Sequence, residues 1–78
     1  MTLSTRSMKV FVRAVEDESF AAAARNLLVD PAAVSRTIRS LEDDLGVSLF
    51  SRSTRVSKIT SEGKKFYRDC QQILQRLD

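Results

Sequence analysis

Three polar side chains in the middle of the chain have types and spacing suited to recognising an anion or a base edge. Ser35, Arg36 and Arg39 stand close enough in sequence to share one side of a helix. A guanidinium donates to phosphate oxygens or, as a bidentate fork, to guanine, and a serine hydroxyl can donate to a phosphate or a base. The alternative is an ordinary solvated helix surface, which composition alone favours.

The segment that must position these side chains has the signals of a single helix over residues 31–45. Asp30 suits the N-cap, and Pro31 suits the first turn, where no N–H is needed. Gly46 suits the residue that ends the helix. The predicted core stripe is Val34, Ile38, Leu41 and Leu45. At about 100° per residue, the opposite side holds Ala32, Arg36, Arg39 and Asp43, with Ser35 on the flank.

Two helices precede this segment, over residues 4–16 and from residue 20 to about 28. The apolar repeat of the first is Met8, Phe11, Val12 and Val15. The repeat of the second is Phe20, Ala23, Ala24 and Leu27. Ser19 suits the N-cap of the second helix. Its alanines either permit close approach of another helix or simply favour helix formation.

The segment 47–59 does not have a helical pattern, and residues 49–50 and 56–59 predict two short strands. A fourth helix is predicted after the N-cap Thr60. Its a/d seam is Phe66, Cys70, Ile73 and Leu77. We interpret Cys70 as a small buried hydrophobe rather than a sensor thiol.

Positive charge is concentrated after Gly46, although the net charge is only +3. The basic residues of this block are Arg52, Arg55, Lys58, Lys64, Lys65 and Arg68. Their acidic neighbours within the block are Glu62 and Asp69. Such a local excess is a candidate footprint for a polyanion.

Composition restricts the other function classes. The 78 residues suffice for one small domain, whose modest core makes help from a partner subunit plausible. There is no histidine and one cysteine, so no intrachain disulfide can form and a metal cluster is not expected. The sequence has no Gly-rich phosphate loop and no nucleophile–base pair, which leaves an enzyme without support. The apolar runs are too short to span a membrane, and no apolar signal segment follows the N-terminus.

Two helices joined by a three- or four-residue break, the second more exposed on one side, indicate a helix-turn-helix. In that motif the second helix enters the DNA major groove with its N-terminal end first. The acidic residues 42–44 would be repelled by DNA, so only the N-terminal half should enter. A hairpin carrying Arg52 and Arg55 would form a wing on the backbone or in the minor groove. The predicted fold is mainly α, a winged helix-turn-helix with a three-helix core and a two-stranded wing, followed by a long helix.

Residues 8–63 resemble the N-terminal DNA-binding domain of LysR-type transcriptional regulators. The matching segments are "FVRAVEDESFAAAARNLLVDPAAVSRTIRSLEDDLGVSLFSR" and "TSEG". The positions that fit the family's spacing are Ser35, Ile38, Leu41, Glu42, Leu45, Gly46, Leu49, Phe50, Arg52, Thr60 and Gly63.

The resemblance implies a cytoplasmic bacterial regulator that binds double-stranded DNA with sequence specificity. It also implies a dimer or tetramer on an interrupted palindrome, with no cofactor or metal in this domain. A small-molecule effector would act through a C-terminal domain after a linker helix. We therefore expect a fragment in which residues 1–60 form the DNA-binding domain and 61–78 are part of the linker helix.

The predicted contact residues follow from this placement. Those expected to contact DNA are Ser19, Pro31, Ala32, Ser35, Arg36, Arg39, Arg52 and Arg55. Those expected to join two copies are Phe66, Cys70, Ile73 and Leu77. The family commonly has Ser-Gln where this chain has Asp30-Pro31, and the glutamine often faces DNA. Either the operator differs at that base, or binding relies more on Arg36 and the wing.

A different class of function stays open at this point. Winged helices also serve as protein-interaction or dimerisation modules without DNA binding. A folded dimer without salt-dependent affinity for nucleic acid would favour that alternative. Arginines at a hairpin tip argue against it, because an interaction module does not need them. Glu42 lies beside the core stripe, where pairing with a basic side chain is one structural hypothesis.

Overall fold

The computed structural model describes residues 3–51 and 58–77, and the structural statements that follow concern those residues. The elements in chain order are α1 (Thr5–Asp17), α2 (Phe20–Leu27), α3 (Pro31–Leu45), β1 (Phe50–Ser51), β2 (Lys58–Ile59) and α4 (Ser61–Arg76). This order confirms the expected helical fold with a small two-stranded hairpin between the third and fourth helices.

The first helix is set by a reciprocal cap. The Ser7 N–H donates to Ser4 Oγ at 3.1 Å, and the Ser4 N–H donates to Ser7 Oγ at 2.9 Å. Ser4 therefore lies outside α1 as its N-cap, and the helix begins one residue later than predicted. The helix ends at Asp17 because Glu18 adopts a left-handed conformation with φ 55°.

The predicted caps of the next two helices are confirmed. Ser19 Oγ accepts the Ala22 N–H at 3.1 Å, and Asp30 Oδ1 accepts the Ala32 N–H at 2.8 Å. α2 ends at Leu27, one residue earlier than predicted, because Leu28 is left-handed with φ 60°. Gly46 has φ 71°, the conformation that a helix-ending glycine adopts without steric cost.

Three aromatic contacts join the helices to the hairpin. The Phe11 ring in α1 lies 5.7 Å from the Phe50 ring in β1 and 5.1 Å from the Phe66 ring in α4. The Phe20 ring in α2 meets Phe50 edge-on at 5.1 Å. The buried apolar residues are Met8, Phe11, Ala14, Ala23, Ala24, Val34, Ile38, Leu41, Leu49, Phe50 and Cys70. One core therefore holds the helices and the base of the hairpin together.

The core side of α3 is nearly as predicted. Val34, Ile38 and Leu41 have no exposed surface, whereas Leu45 is half-buried near the C-terminus of the helix. Both α1 and α2 pack against this side. Since close-packed neighbours on one side fix the rotation of a helix, they determine which side of α3 faces outward.

The hairpin is antiparallel, with Phe50 opposite Ile59 and Ser51 opposite Lys58. The first strand begins one residue later than predicted, at Phe50, and the Leu49 N–H before it donates to the Glu42 side chain. The predicted second strand began at residue 56, which lies outside the described residues. Its described part, Lys58–Ile59, is confirmed as a strand.

Gly63 lets the fourth helix approach the hairpin closely. A Cβ at this position would overlap the Leu49 carbonyl oxygen and would lie 2.7 Å from Ile59 Cγ1. The Thr60 hydroxyl caps the helix by accepting the Gly63 N–H at 2.9 Å and donates to the Ser48 carbonyl at 2.6 Å. The "T-x-x-G" segment is thus a close junction between β2 and α4.

The fourth helix corrects part of the predicted pairing surface. Cys70 has no exposed surface within the single chain, so its side chain is unavailable to a second copy, contrary to our prediction. Phe66 is half-buried through its contact with Phe11. Ile73 and Leu77 are 42% and 62% exposed. None of the helices in the described ranges is both long and apolar enough to cross a membrane.

Candidate nucleic-acid interface

The outward side of α3 carries a compact set of small and basic side chains. Ala32, Ser35, Arg36 and Arg39 are exposed, as the helical repeat predicted, and Pro31 at the start of the helix is exposed as well. They occupy the first three turns of the helix, and the buried stripe on the opposite side holds them in place. The structure thus brings five of the predicted contact residues onto one rigid surface.

The junction before α3 has the length that the motif requires. Residues 28–30 separate α2 from α3, at the lower end of the predicted three to four. The Val29 N–H donates to the Ala24 carbonyl at 3.0 Å, which closes the end of α2. Since α2 and α3 also pack against each other, the two helices form one unit.

Ser19 lies apart from this surface, at the N-cap of α2. Its side chain is half-buried and its Oγ accepts a backbone N–H, which leaves the hydroxyl hydrogen for an outside acceptor. Arg52 and Arg55, the predicted wing contacts, lie outside the described residues. The structure therefore positions the helix residues of the predicted set, and it leaves the wing arginines as predictions.

The three acidic residues near the C-terminus of α3 differ in solvent exposure. Asp43 and Asp44 are exposed, whereas Glu42 is half-buried. Glu42 Oε2 accepts the Leu49 N–H at 2.7 Å and the Phe50 N–H at 3.2 Å. One carboxylate oxygen therefore fixes the first strand of the hairpin relative to α3.

Sequence reasoning missed this positioning role of Glu42. The available signal was a carboxylate directly after the buried Leu41, one turn before the helix-ending Gly46. A carboxylate at this position can reach the backbone N–H groups that follow the turn. Hydrogen bonds to an ionised carboxylate are stronger than those between neutral groups. Pairing with a basic side chain was the hypothesis instead.

Two titratable groups of α4 have raised pKa values. Burial raises the pKa of the Cys70 thiol from 9.0 to about 11, and the neighbouring Asp69 charge adds to the shift. Desolvation also raises the pKa of Tyr67, with a further contribution from its hydrogen bond to Glu16. The Tyr67 hydroxyl donates to Glu16 Oε2 at 2.9 Å and accepts from Gln71 Nε2 at 3.0 Å. Both groups are neutral near pH 7. The hydrogen bond from Tyr67 to Glu16 joins α4 to α1.

Sequence comparison gives a family match from the start of α1 to the start of α4. A sequence profile described as bacterial regulatory helix-turn-helix protein, lysR family, matches residues 5–64. This range runs from the first residue of α1 through the junction at Gly63. The chain belongs to the LysR family of bacterial regulatory helix-turn-helix proteins.

Curated relatives of this LysR-family chain are transcriptional regulators. CrgA of Neisseria meningitidis is 42% identical over 77 residues, which cover 99% of this chain and 26% of CrgA. The activator AaeR of Escherichia coli K12 is 42% identical over 69 residues, covering 88% of this chain and 22% of AaeR. The chain therefore spans about a quarter of the length of the relatives that it matches.

Solved LysR-family structures share the fold of this chain. The BenM DBD in its complex with catB site 1 DNA superposes with a TM-score of 0.92 at 37% identity, covering 97% of this chain and 84% of that one. The CbnR DBD in its DNA complex gives a TM-score of 0.91 at 36% identity, covering 96% of this chain and 86% of that one. The winged helix-turn-helix assignment is thereby confirmed.

Proposed function

We propose that this chain binds double-stranded DNA with sequence specificity and is the DNA-binding part of a transcription regulator. The observation that carries the proposal is the outward side of α3, where exposed small and basic residues lie on a rotationally fixed helix. The superposition on two DBD–DNA complexes supports it. The transcriptional roles of CrgA and AaeR support the regulatory part of the proposal.

In this proposal the N-terminal half of α3 enters the major groove. Pro31 and Ala32 permit close approach to the base edges, and Ser35 and Arg36 donate to bases or phosphates. Arg39 lies one turn further along and meets the backbone. The exposed carboxylates of Asp43 and Asp44 are repelled by phosphate and mark the end of the contact surface.

The wing supplies a second contact. Arg52 and Arg55 are proposed to bind the backbone or the minor groove, because arginine is favoured where the groove is narrow. The bond from the Leu49 N–H to Glu42 ties the base of the hairpin to α3 and supports a fixed offset between the two contacts. Ser19, at the start of α2, is proposed as a phosphate contact.

The start of α3 distinguishes this chain from the usual family pattern. Asp30 caps α3 through the Ala32 N–H, and Pro31 occupies the first helical position with its ring exposed. Proline offers no hydrogen-bond donor to a base, so Arg36 and the wing carry more of the discrimination. Because Asp30-Pro31 replaces the usual Ser-Gln pair, we expect this chain to prefer a different base at one position of its DNA site.

A second copy of the chain is proposed to pair through α4. Ile73 and Leu77 are spaced by four residues and expose apolar surface on one side of the helix. Phe66 lies half-buried towards the other end of the seam. Two copies would present two α3 helices to two half-sites. The full-length protein is proposed to be a cytoplasmic, non-enzymatic dimer or tetramer whose C-terminal domain binds the effector, with no cofactor in this domain.

Site selection from random duplexes tests the DNA-binding proposal. The enriched duplexes should share a half-site and a defined spacing, and spacing reports the geometry of the dimer. Affinity for an enriched duplex should fall steeply with salt, with a slope set by the number of phosphate contacts. No enrichment, together with no salt-dependent affinity of a folded sample at low salt, would leave the protein-interaction alternative.

A further inference from the structure

A groove of about 460 Å³ lies between the first turns of α1 and the side of α3 that faces them. The side chains lining it are Ser4, Arg6, Ser7, Ala33, Arg36, Thr37 and Ser40. Among the described residues, no carboxylate lines this groove. Two arginines on opposite walls without an acidic neighbour give it a positive potential, which suits an anion.

Some of the polar side chains of the groove form hydrogen bonds within the chain and others do not. Ser4 and Ser7 bond to each other in the cap of α1. In the part of the chain that the structure describes, neither the Thr37 nor the Ser40 hydroxyl bonds to another residue. Arg6 is exposed and forms no ion pair with a described carboxylate. The groove is therefore lined by the Arg6 guanidinium from α1 and by two hydroxyl donors from α3 that have no hydrogen bond within the described residues.

The groove adjoins the surface proposed to enter DNA. Arg36 lies near the middle of the outward side of α3, with Thr37 and Ser40 turned towards α1 and Arg39 turned away from it. A helix in the major groove has a phosphate backbone on each side, and contacts to those backbones fix its orientation. A strand that passes on the α1 side of α3 would run along the mouth of this groove.

We propose that this groove binds a phosphate of the DNA backbone through Arg6 on one wall and Thr37 and Ser40 on the other. The inference rests on the proposed function and adds α1 to the DNA-contacting elements. Arg36 borders the groove and adds to its positive potential while its guanidinium serves the base edge. Arg6 thereby clamps the strand that flanks α3 and sets the angle at which the helix enters.

Three variants test the role of Arg6, measured on an enriched duplex and on an unrelated duplex across a range of salt concentrations. Arg6→Gln should weaken binding about three- to tenfold on both duplexes and lower the salt slope by about 1, as loss of one phosphate contact does. Arg6→Lys keeps the charge and should retain most of the affinity. Arg76→Gln removes the same charge from the last turn of α4, outside the basic block, and should change neither quantity.

A duplex series with single methylphosphonate linkages locates the contact. Neutralising the phosphate that Arg6 binds should weaken the wild type much more than Arg6→Gln, which keeps only the Thr37 and Ser40 hydroxyl contacts, whereas neutralising other phosphates should weaken both equally. If every linkage weakens both proteins equally, the proposed clamp is wrong. Unchanged affinity and slope for Arg6→Gln would also overturn it.

Two further outcomes are distinguishable. Failure of the wild type to bind any duplex would contradict the proposed function itself, before Arg6 is tested. A free anion is the other source of phosphate chemistry, so inorganic phosphate is titrated against sodium chloride at equal ionic strength. Saturable shifts of the Arg6 and Ser40 amide resonances, with DNA affinity unchanged in Arg6→Gln, would overturn the backbone proposal in favour of a small-anion site.

Discussion

Arg36 lies at the point of α3 where its guanidinium reaches both the outward surface and the groove towards α1. Ser35 and Arg39 lie on the other flank of the helix and are equally exposed. Since an arginine can bind guanine with two parallel hydrogen bonds, Arg36 is the residue best placed for base discrimination. Ala32 and Ala33, the small neighbours of Arg36 on α3, leave room for the wall of the DNA major groove to lie close to the helix.

Replacing Arg36 by alanine should therefore reduce specificity more than general affinity. We expect Arg36→Ala to lose about 1–3 kcal/mol of discrimination between the enriched site and a site changed at one base pair. Competition titrations with a set of single-base variants measure it. Arg76→Ala is the matched control on α4, because this exposed arginine lies outside the basic block. Equal weakening of Arg36→Ala on all sequences would reassign Arg36 to the backbone.

The buried Cys70 thiol gives a pH-dependent signature. Its folded pKa of about 11 lies above the unfolded value of 9.0, so the neutral thiol is the form that folding favours. The associated stability is fully present below pH 9 and is lost as pH rises towards 11. Urea unfolding at pH 8, 9.5 and 11 should show a steeper decline for the wild type than for Cys70→Ala.

Thiol chemistry provides an independent check on Cys70. At pH 8 the folded chain should react with iodoacetamide far more slowly than the urea-unfolded chain, because the thiol is both protonated and inaccessible. Rapid alkylation of the folded chain would contradict the burial of Cys70. It would also restore this residue as a candidate for contact with a second copy.

At the scale of elements, the hairpin depends on α3 and α4 for its position. Glu42 in α3 accepts two backbone N–H groups from residues 49 and 50, while Thr60 and Gly63 hold the second strand against α4. Phe50 also anchors β1 through aromatic contacts with α1 and α2. The wing is therefore attached to every helix of the fold through a few short-range contacts.

Removing the Glu42 carboxylate should weaken this attachment. Glu42→Ala leaves the Leu49 and Phe50 N–H groups without their acceptor, and we expect about 1–3 kcal/mol of lost stability. Denaturant unfolding measures the change, and amide exchange should accelerate at residues 49 and 50. Asp43→Ala is the neighbouring control, whose exposed side chain should change stability by less than about 0.5 kcal/mol. Similar losses for both variants would argue against the hydrogen-bonded role of Glu42.

At the scale of the whole molecule, two of the surfaces proposed to bind partners are exposed within the described residues. One is the outward side of α3, and the other is the apolar side of α4 that carries Ile73 and Leu77. α1 lies between them, since it packs against both α3 and α4. A dimer through α4 would thus leave the α3 surface of each copy free for DNA.

Acidic substitutions on α4 should separate dimerisation from folding. Ile73→Asp combined with Leu77→Asp should weaken self-association at least about tenfold, since about 1.4 kcal/mol of lost apolar burial corresponds to that factor. Sedimentation equilibrium measures the change. Val47→Asp introduces a single such charge at an exposed apolar residue before β1, is compared with Ile73→Asp alone, and should leave association unchanged. A wild type that remains monomeric at high concentration would contradict the proposed pairing.

The sequence by itself determined the helices, the N-caps of α2, α3 and α4, and the side of α3 that faces outward. These are local properties: cap residues act within three positions, and an apolar repeat fixes a buried side whatever it packs against. The motif spacing could also be predicted, because the backbone requires glycine at two fixed positions. Gly46 has a positive φ, and Gly63 lies too close to Leu49 for a side chain.

The tertiary structure decided which members of each pattern are used. Cys70, Ile73 and Leu77 share one apolar seam in sequence, yet the first is buried in the core and the other two are exposed. Glu42 reads as one of three acidic residues, but only the packing of β1 on α3 brings two N–H groups to it. The role proposed for Arg6 had no signal in sequence, because the groove that it lines is formed with residues about thirty positions away. Long-range packing makes these assignments, and local periodicity contains no information about them.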